Sequence, residues 1–296
     1  MDTAEILRKV RQIEIKTDRL VSETFAGDYL STFKGQGIEF SEVREYIPGD
    51  DVRSIDWNVT ARTGTPYIKK FNETRELTVM IACDVSASGQ FGSVRKLKQE
   101  ACSELAALFA FAALQNGDKV GLLLFSDQIE LYVPPKKGKK HILRLIRELV
   151  AFEPKHKRTD IGLCLTTLLK VLKHKSIVVL ASDFLDPTFT YTKPFRLAAK
   201  KFDLIPVRIQ DKLERHLPRV PVCLDVTDPE TGLPGELCLS DKHINQELEH
   251  FWKLQDQSLH ALFAPCKIEP IFIDTAHSIA DPVIAFFKRR AKKIRK

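Results

Sequence analysis

The residues whose types and spacing most clearly suit chemistry are one carboxylate and two hydroxyls at alternate positions. Asp84, Ser86 and Ser88 form an Asp-x-Ser-x-Ser run directly after the apolar stretch 77–83. A strand that ends on such a run directs oxygen ligands toward one spot, and divalent cations such as Mg2+ and Mn2+ prefer oxygen ligands. The run therefore predicts a metal site. The alternative interpretation is an Asx or Ser turn that caps a helix after Phe91.

The segments that must position this run alternate between apolar stretches and amphipathic ones. Strands are predicted over residues 77–84, 119–126, 128–133, 176–183, 203–210 and 268–273. Helices are predicted over residues 93–116, 141–151, 161–173, 194–201 and 241–263, with a last helix from residue 280. Because parallel strands need crossover helices, this alternation predicts an α/β fold with a mostly parallel, doubly wound sheet. Ligands gather at the carboxyl ends of such strands, where Asp84 and Asp183 are expected.

Residues 1–76 follow a different pattern and are predicted to form an N-terminal extension. A stripe of apolar residues predicts a helix over residues 1–20. Residues 27–76 are rich in glycine, charge and aromatics, which predicts an irregular, non-helical segment. The α/β domain is then expected over residues 77–296, with an edge hairpin inserted near residues 218–240.

The positive charge of the chain is concentrated at its end. The chain of 296 residues has a formal net charge of +7, and residues 288–296 hold seven basic side chains. Without these seven, 39 basic residues face 39 acidic ones. A solvated, frayed helix end is the favoured interpretation of this tail over contact with anionic lipid or nucleic acid. Basic clusters elsewhere lack interleaved aromatics for base stacking, so nucleic acid is not an expected partner.

Hydropathy and cysteine usage set the expected compartment. No apolar run approaches the roughly 18 residues of a membrane span, so no transmembrane segment is expected. The N-terminus lacks the features of a secretory signal, which predicts a cytoplasmic protein. The six cysteines are scattered and mostly lie in apolar stretches. This pattern predicts buried, reduced thiols rather than a zinc site or disulfides.

A wider set of residues resembles a known metal site. Asp84, Ser86 and Ser88, followed by Thr159 and then Asp183, are similar in order and strand-end placement to the metal-ion-dependent adhesion site of von Willebrand factor A domains. The resemblance implies a Rossmann-like sheet, with hydroxyls that contact the cation and aspartates that bind it directly or through water. Two simpler interpretations stay open: Thr159 as the N-cap of the following helix, and Asp183 as a turn former.

A second resemblance covers nearly the whole chain. Residues 39–57 (EFSEVREYIPGDDVRSIDW) and 61–62 (AR), with the tail 286–290 (FFKRR), are similar to the hallmark of the bacterial domain of unknown function 58 family. The resemblance implies a von Willebrand A-like domain after this preface. It also implies a role as metal-binding adaptor or co-chaperone of a MoxR-type AAA+ ATPase. The sequence departs from the family at 211–214 (DKLE), where many members have Asp-Pro-x-Glu.

These observations predict a non-enzymatic module for protein–protein interaction. An ion held mainly by neutral hydroxyls keeps its charge and an open position, which an Asp or Glu of a partner can fill. The alternative is a metal-dependent phosphoester hydrolase with Asp84 and Asp183 as ligands. No P-loop, Gly-x-Ser-x-Gly elbow or suitably spaced histidine supports catalysis. The charged preface is interpreted as an ion-pair network around Trp57, with a docking surface as the alternative.

Overall fold

The computed structural model describes residues 3–21, 29, 39–72, 76–94, 96–186 and 190–294. The strands are β1 (Glu39–Glu45), β2 (Tyr67–Asn72), β3 (Thr78–Asp84), β4 (Lys119–Phe125), β5 (Ile129–Lys136), β6 (Ile177–Ser182), β7 (Asp203–Gln210), β8 (Cys223–Thr227), β9 (Pro234–Cys238) and β10 (Ile271–Asp274). The helices are α1 (Thr3–Leu20), α2 (Trp57–Thr63), α3 (Lys98–Gln115), α4 (Lys139–Val150), α5 (Ile161–Val171), α6 (Thr192–Lys201), α7 (Lys212–Arg215), α8 (Lys242–Phe263) and α9 (Ala280–Ile294).

A six-stranded sheet with the order β10-β7-β6-β3-β4-β5 forms the centre of the molecule. Its neighbouring strands are parallel except for the antiparallel pair β4 and β5. The central strands are apolar and buried along their length, as strands covered on both faces must be. The predicted α/β class with a mostly parallel sheet is therefore confirmed.

Helices cover both faces of this sheet and divide the core into two clusters. Buried residues of α1, α3, α4 and α9 form one cluster with one face of the strands. Buried residues of α5, α6 and α8 form the other. The carboxyl ends of β3, β6 and β7 are left to converge at one edge, because these strands are mutually parallel.

Two predicted elements differ from the structure for non-local reasons. Helix α3 begins at Lys98 and not near Ser93, because the backbone N–H and the hydroxyl of Ser93 both donate to the carboxylate of Asp211. The predicted hairpin near residues 218–240 forms as β8 and β9, but as a separate two-stranded sheet. The edges of the main sheet are β5 and β10.

The preface is more regular than its composition suggests, and Trp57 does not organise it. Strands β1 and β2 pair antiparallel, and the short helix α2 corrects the prediction of a non-helical segment. Arg44 donates to both carboxylate oxygens of Asp50, at 3.0 and 2.8 Å. Asp51 and Asp56 each cap the start of a helical turn. Trp57 is 68% exposed, so the expected network around it is wrong, and the charges stabilise local turns instead.

The basic tail is an ordered helix that pairs with the body. Phe287 is fully buried, with its ring centroid 6.0 Å from Tyr29 and 5.8 Å from Phe109. Arg289 and Lys293 donate to Glu269 at 2.6 and 2.8 Å, and Arg290 pairs with Asp203. The end is helical as far as residue 294, so the prediction that it frays is wrong, but the side chains of Arg289 and Lys293 are solvated as predicted. Residues 295 and 296 lie outside the described part.

Two of the six cysteines contradict the prediction of reduced thiols. Cys223 and Cys238 face each other across β8 and β9, with their Cα atoms 4.0 Å apart, and form a disulfide. Cross-strand pairing brings them together although 15 residues separate them in sequence. Cys83, Cys102 and Cys164 are buried free thiols, as predicted.

Across the described residues, the helices are too short or too polar to cross a bilayer.

Candidate metal centre

The centre lies where two adjacent parallel strands end. Residues 79–83 of β3 pair with residues 177–181 of β6, so Asp84 and Asp183 leave the same edge of the sheet. Ser182, the last residue of β6, donates its hydroxyl to Asp84 Oδ2 at 2.7 Å. The placement follows from the strand pattern, because parallel neighbours put their carboxyl ends together.

The loop after β3 directs two hydroxyls inward. The backbone N–H of Ser86 donates to Asp84 Oδ1 at 3.0 Å, which is an Asx turn. The Oγ atoms of Ser86 and Ser88 lie 3.1 Å apart, and Ser88 donates to Asp183 Oδ2 at 2.9 Å. Ser86 precedes a short 3-10 helix over 87–90 but makes no side-chain capping bond. The turn interpretation therefore explains the backbone conformation from Asp84 to Ser86. It does not use the hydroxyls of Ser86 and Ser88, which contact each other and, through Ser88, Asp183.

Asp183 is both a turn former and a member of the cluster. Its Oδ1 accepts from the backbone N–H of Leu185 at 3.1 Å, while Oδ2 faces Ser88. The next residue, Phe184, is fully buried with a φ of 58°, a conformation that bulky residues rarely adopt. Its ring packs edge-on against Phe263, with centroids 5.8 Å apart. Core packing thereby holds the backbone kink beside Asp183.

Thr159 contacts Glu230, which is not among the predicted ligands. The N-cap of α5 is Asp160, whose Oδ1 accepts from the N–H of Leu163 at 2.8 Å, so the N-cap interpretation of Thr159 is wrong. The hydroxyl of Thr159 donates to Glu230 Oε1 at 3.1 Å. Within the described residues, Thr159 has no direct hydrogen bond to the other four predicted ligands.

Replacement of Asp160 with Ala should lower the free energy of unfolding by about 1 kcal/mol, because α5 would lose its capping acceptor. Asp160→Asn keeps a side-chain oxygen for the N–H of Leu163 and serves as the control. Urea denaturation of the three proteins measures the effect. Equal losses in both variants would show that capping is not what Asp160 contributes.

A buried lysine supplies the positive charge of the centre. Lys98, the first residue of α3, donates to Asp183 Oδ2 at 2.9 Å and to Glu214 Oε1 at 2.6 Å. Its side chain is 4% exposed. Burial alone would lower the pKa of Lys98, but the charges of Asp183 and Glu214 raise it well above its usual value. Burial alone would raise the pKa of Asp183, but Lys98 and Ser88 hold it below the usual range.

The pKa values of two further carboxylates, those of Asp84 and Glu230, are raised rather than lowered. Burial, together with the charge of Asp183, raises the pKa of Asp84 to about 6. Burial, with the charges of Asp183 and Asp84, raises the pKa of Glu230 to about 7, although Thr159 donates to it. Four carboxylates, those of Asp84, Asp183, Glu214 and Glu230, outnumber the cations near them in the described part. These cations are Lys98, which pairs with Asp183 and Glu214, and Arg208, whose charge also acts on Asp183 but which pairs with Asp256. Excess negative charge of this kind favours a bound cation.

The donor set fits a divalent ion such as Mg2+ or Mn2+. The candidate ligands are hydroxyl and carboxylate oxygens, which hard cations prefer. Asp84, Ser88, Lys98 and Asp183 also border a cavity of about 20 Å³, roughly the space of one water. In the described residues, Asp84, Asp183 and Glu230 do not bring one oxygen each within 4.8 Å of one another. An ion here would therefore depend on the hydroxyls as well as on the carboxylates.

Comparison with known proteins places the chain in a family. Residues 42–257 match the family described as "Protein of unknown function DUF58". The chain belongs to the DUF58 family. Uncharacterized protein Rv1480 of Mycobacterium tuberculosis and uncharacterized protein Mb1516 of Mycobacterium bovis are each 28% identical over 241 residues, which cover 81% of this chain and 75% of each relative. Uncharacterized protein YeaD of Bacillus subtilis is 27% identical over 109 residues, 37% of this chain and 25% of that protein.

Solved structures resemble this DUF58 protein at low identity. The conserved hypothetical protein BatB from Bacteroides thetaiotaomicron superposes with a TM-score of 0.45 and 14% identity, covering 74% of this chain and 100% of that one. An aerotolerance-related membrane protein from Bacteroides fragilis gives a TM-score of 0.43 and 14% identity, covering 73% and 99%.

Three charged residues of the DUF58 centre were missed by sequence reasoning. Lys98 is the first residue of α3, but the helix was predicted to begin at residue 93. The sequence therefore did not indicate that Lys98 lies at the centre. Glu214 belongs to the segment that departs from the family pattern, yet it contacts Lys98 directly. Glu230 lies in the hairpin turn, 71 residues from Thr159. The turn-rich composition around Glu230 indicated a hairpin but not where its tip would lie.

Proposed function

We propose that this DUF58 protein is a non-enzymatic, metal-dependent protein–protein interaction module with a von Willebrand factor A-like domain. The proposed ligands of a divalent cation, Mg2+ or Mn2+, are Asp84, Ser86, Ser88, Thr159 and Asp183. The observation that carries the proposal is the bridge made by Ser88. Its hydroxyl contacts Ser86 on one strand-end loop and Asp183 on the next, which joins the oxygens of two strands into one cluster.

The chain's own residues would give such a centre a preference for carboxylates. A bound divalent cation supplies a concentrated positive charge. Hydroxyl ligands do not neutralise it, and Asp84 and Asp183 would offset it only in part where they bind through water. Asp84 orients the loop through the backbone of Ser86, and Lys98 fixes Asp183 and offsets part of its charge. An Asp or Glu of a partner protein is then the complementary group. From the family resemblance we propose a MoxR-type AAA+ ATPase as that partner, with this protein as its adaptor or co-chaperone.

Recognition is proposed over phosphoester hydrolysis because, among the described residues, neither a histidine nor a neutral lysine stands at the centre; the carboxylates with raised pKa values, Asp84 and Glu230, are the groups that a hydrolase would have to use as its base. Metal-assisted hydrolysis usually relies on a base that can take a proton from water. Lys98 stays protonated between two carboxylates, because their charges raise its pKa. No histidine of the described part hydrogen bonds to Asp84, Ser86, Ser88 or Asp183.

The proposal is tested by Asp84→Asn, which keeps the size of the side chain and one acceptor for the N–H of Ser86. We expect Mn2+ affinity, measured by calorimetry, to fall roughly 10- to 100-fold. Asp127→Asn is the matched control, because Asp127 follows the adjacent strand β4 but contacts His156 and not the cluster. Equal affinities for the two variants would contradict the proposed centre.

The partner is tested with a purified MoxR-type AAA+ ATPase. Immobilised protein should capture the ATPase in Mg2+ but not in EDTA, and Asp84→Asn should fail to capture it in either buffer. Undiminished capture in EDTA would contradict a metal-bridged contact. Mn2+-stimulated turnover of a simple phosphoester that Asp84→Asn removes would instead support the hydrolase.

A further inference from the structure

The tip of the β8–β9 hairpin reaches the candidate metal centre. Every residue of β8 is exposed, and most of β9 is too, so the hairpin projects from the body. Its turn nevertheless places Glu230, half-buried, where Oε1 accepts the hydroxyl hydrogen of Thr159 at 3.1 Å. Glutamate is among the residues least often buried without a partner. The position of this side chain therefore needs an explanation beyond hairpin formation.

The turn is built to present that carboxylate. Asp228 Oδ1 accepts the backbone N–H groups of Glu230 and Thr231, at 2.8 and 3.0 Å. The N–H of Gly232 donates to the carbonyl of Asp228, and its φ of 71° suits glycine. The disulfide between Cys223 and Cys238 closes the other end of the hairpin. Glu230 is thus held at the end of a short, cross-linked arm, which lowers the entropy lost when it binds.

The surroundings of Glu230 are unfavourable for a carboxylate unless a cation is present. The negative charges of both Asp183 and Asp84 act on it, and the hydroxyl of Thr159 is the direct hydrogen-bond partner of its side chain in the described part. A hydrogen bond to a charged carboxylate is worth about 1.5–3 kcal/mol, and here this one bond must offset both partial burial and two like charges. A divalent ion between these groups would turn the repulsion into attraction.

We propose that Glu230 is an internal ligand of the cation, supplied by the chain's own hairpin. It takes the coordination position assigned above to a partner's Asp or Glu, so a partner must displace the hairpin in order to bind. This inference rests on the proposed function, since it requires the metal centre. It adds Glu230 to the ligand set and assigns the β8–β9 hairpin as a tethered competitor for the site.

The first test counts the groups around Mn2+ in the wild type and in Glu230→Gln. We expect the variant to bind Mn2+ roughly 10-fold more weakly and to hold about one more coordinated water, measured by water-proton relaxation. Glu236→Gln is the matched control, because Glu236 is an exposed glutamate of the same hairpin on the strand β9. It should match the wild type in both measurements.

The second test follows the hairpin itself by hydrogen–deuterium exchange. Mg2+ should slow amide exchange over residues 223–238 in the wild type and in Glu236→Gln, but not in Glu230→Gln. If Glu230→Gln keeps wild-type Mn2+ affinity, water number and Mg2+-dependent protection while Asp84→Asn loses Mn2+, the internal ligand is overturned and the metal centre stands. If the wild type does not bind Mn2+, both are overturned.

Discussion

Replacement of Lys98 with Met should lower the free energy of unfolding by about 3–5 kcal/mol in EDTA. Methionine retains most of the length and the apolar character of the lysine stem but lacks its ammonium group. Asp183 and Glu214 would lose the ammonium group that lies 2.9 and 2.6 Å from their oxygens. Asp183 is 6% exposed, so water cannot replace that contact fully. The loss is therefore that of a buried, uncompensated carboxylate.

Urea denaturation measures this loss, and Lys16→Met is the matched control. Lys16 also donates to a glutamate, Glu104, but its side chain is 59% exposed, and exposed ion pairs contribute only about 0–1 kcal/mol. Excess Mg2+ should restore part of the stability of the Lys98 variant, because a bound ion stabilises the folded state by mass action. Similar small losses in both variants would show that Lys98 is not the counter-charge of the centre.

Asp211→Ala should be nearly as damaging, with a loss of roughly 3–5 kcal/mol. The Asp211 carboxylate is 1% exposed and accepts from the N–H and hydroxyl of Ser93, the N–H of Leu213 and the hydroxyl of Thr275. Alanine would leave all of these donors without their acceptor. The N–H of residue 211 that donates to Glu214 belongs to the backbone and is kept in the variant, so the expected loss comes from the carboxylate alone.

The pH dependence of this loss distinguishes a charged acceptor from a packing effect. Burial alone would raise the pKa of Asp211, but the hydrogen bonds from Ser93 and Thr275 lower it. A depressed folded-state pKa stabilises the protein above the unfolded pKa of about 3.9, and this stabilisation fades as pH falls through the folded value. The difference between wild type and Asp211→Ala should therefore be full at pH 6 and shrink below about pH 4.

The control for Asp211 is Asp241→Ala. Asp241 also caps a helix, at the start of α8, but it is exposed, and among the described residues its carboxylate accepts a single N–H, that of His243. We expect a loss of about 1 kcal/mol from it. A loss in Asp211→Ala that is no larger, or that stays constant through pH 3, would contradict a buried and ionised acceptor.

The main sheet was predictable because each of its strands can be recognised from its own run of apolar residues. The apolar runs that became β3 and β6 need no partner to be recognised, and their strand-end aspartates follow from the same pattern. The start of α3 was not predictable, because Asp211 holds Ser93 from 118 residues away. Helix α2 has seven residues, which is too short to show a helical repeat of apolar residues in the sequence. Its start is set by the N-cap Asp56.

The candidate centre was predictable only in part, for the same reason. The Asp84–Ser88 run and Asp183 are recognisable by motif, and the structure brings them into contact through Ser88. The residues that set its charge come from elsewhere. Lys98 meets Asp183 across 85 positions, and Glu230 meets Thr159 across 71. Sequence spacing identifies the oxygen ligands of one loop. The charged residues next to them depend on how α3 and the β8–β9 hairpin pack against that loop.

The ordered end of the chain changes what its basic residues can offer to a polyanion. Arg289, Arg290 and Lys293 pair with two carboxylates, those of Glu269 and Asp203, so their three charges are offset in part. DNA that took these side chains would have to leave two acidic groups of the body unpaired at its own surface, so fewer counterions would be released than the seven basic residues suggest. The last helix thus contributes ion pairs within the molecule through three of its basic residues, which reduces the part of its charge that is open to an outside ligand.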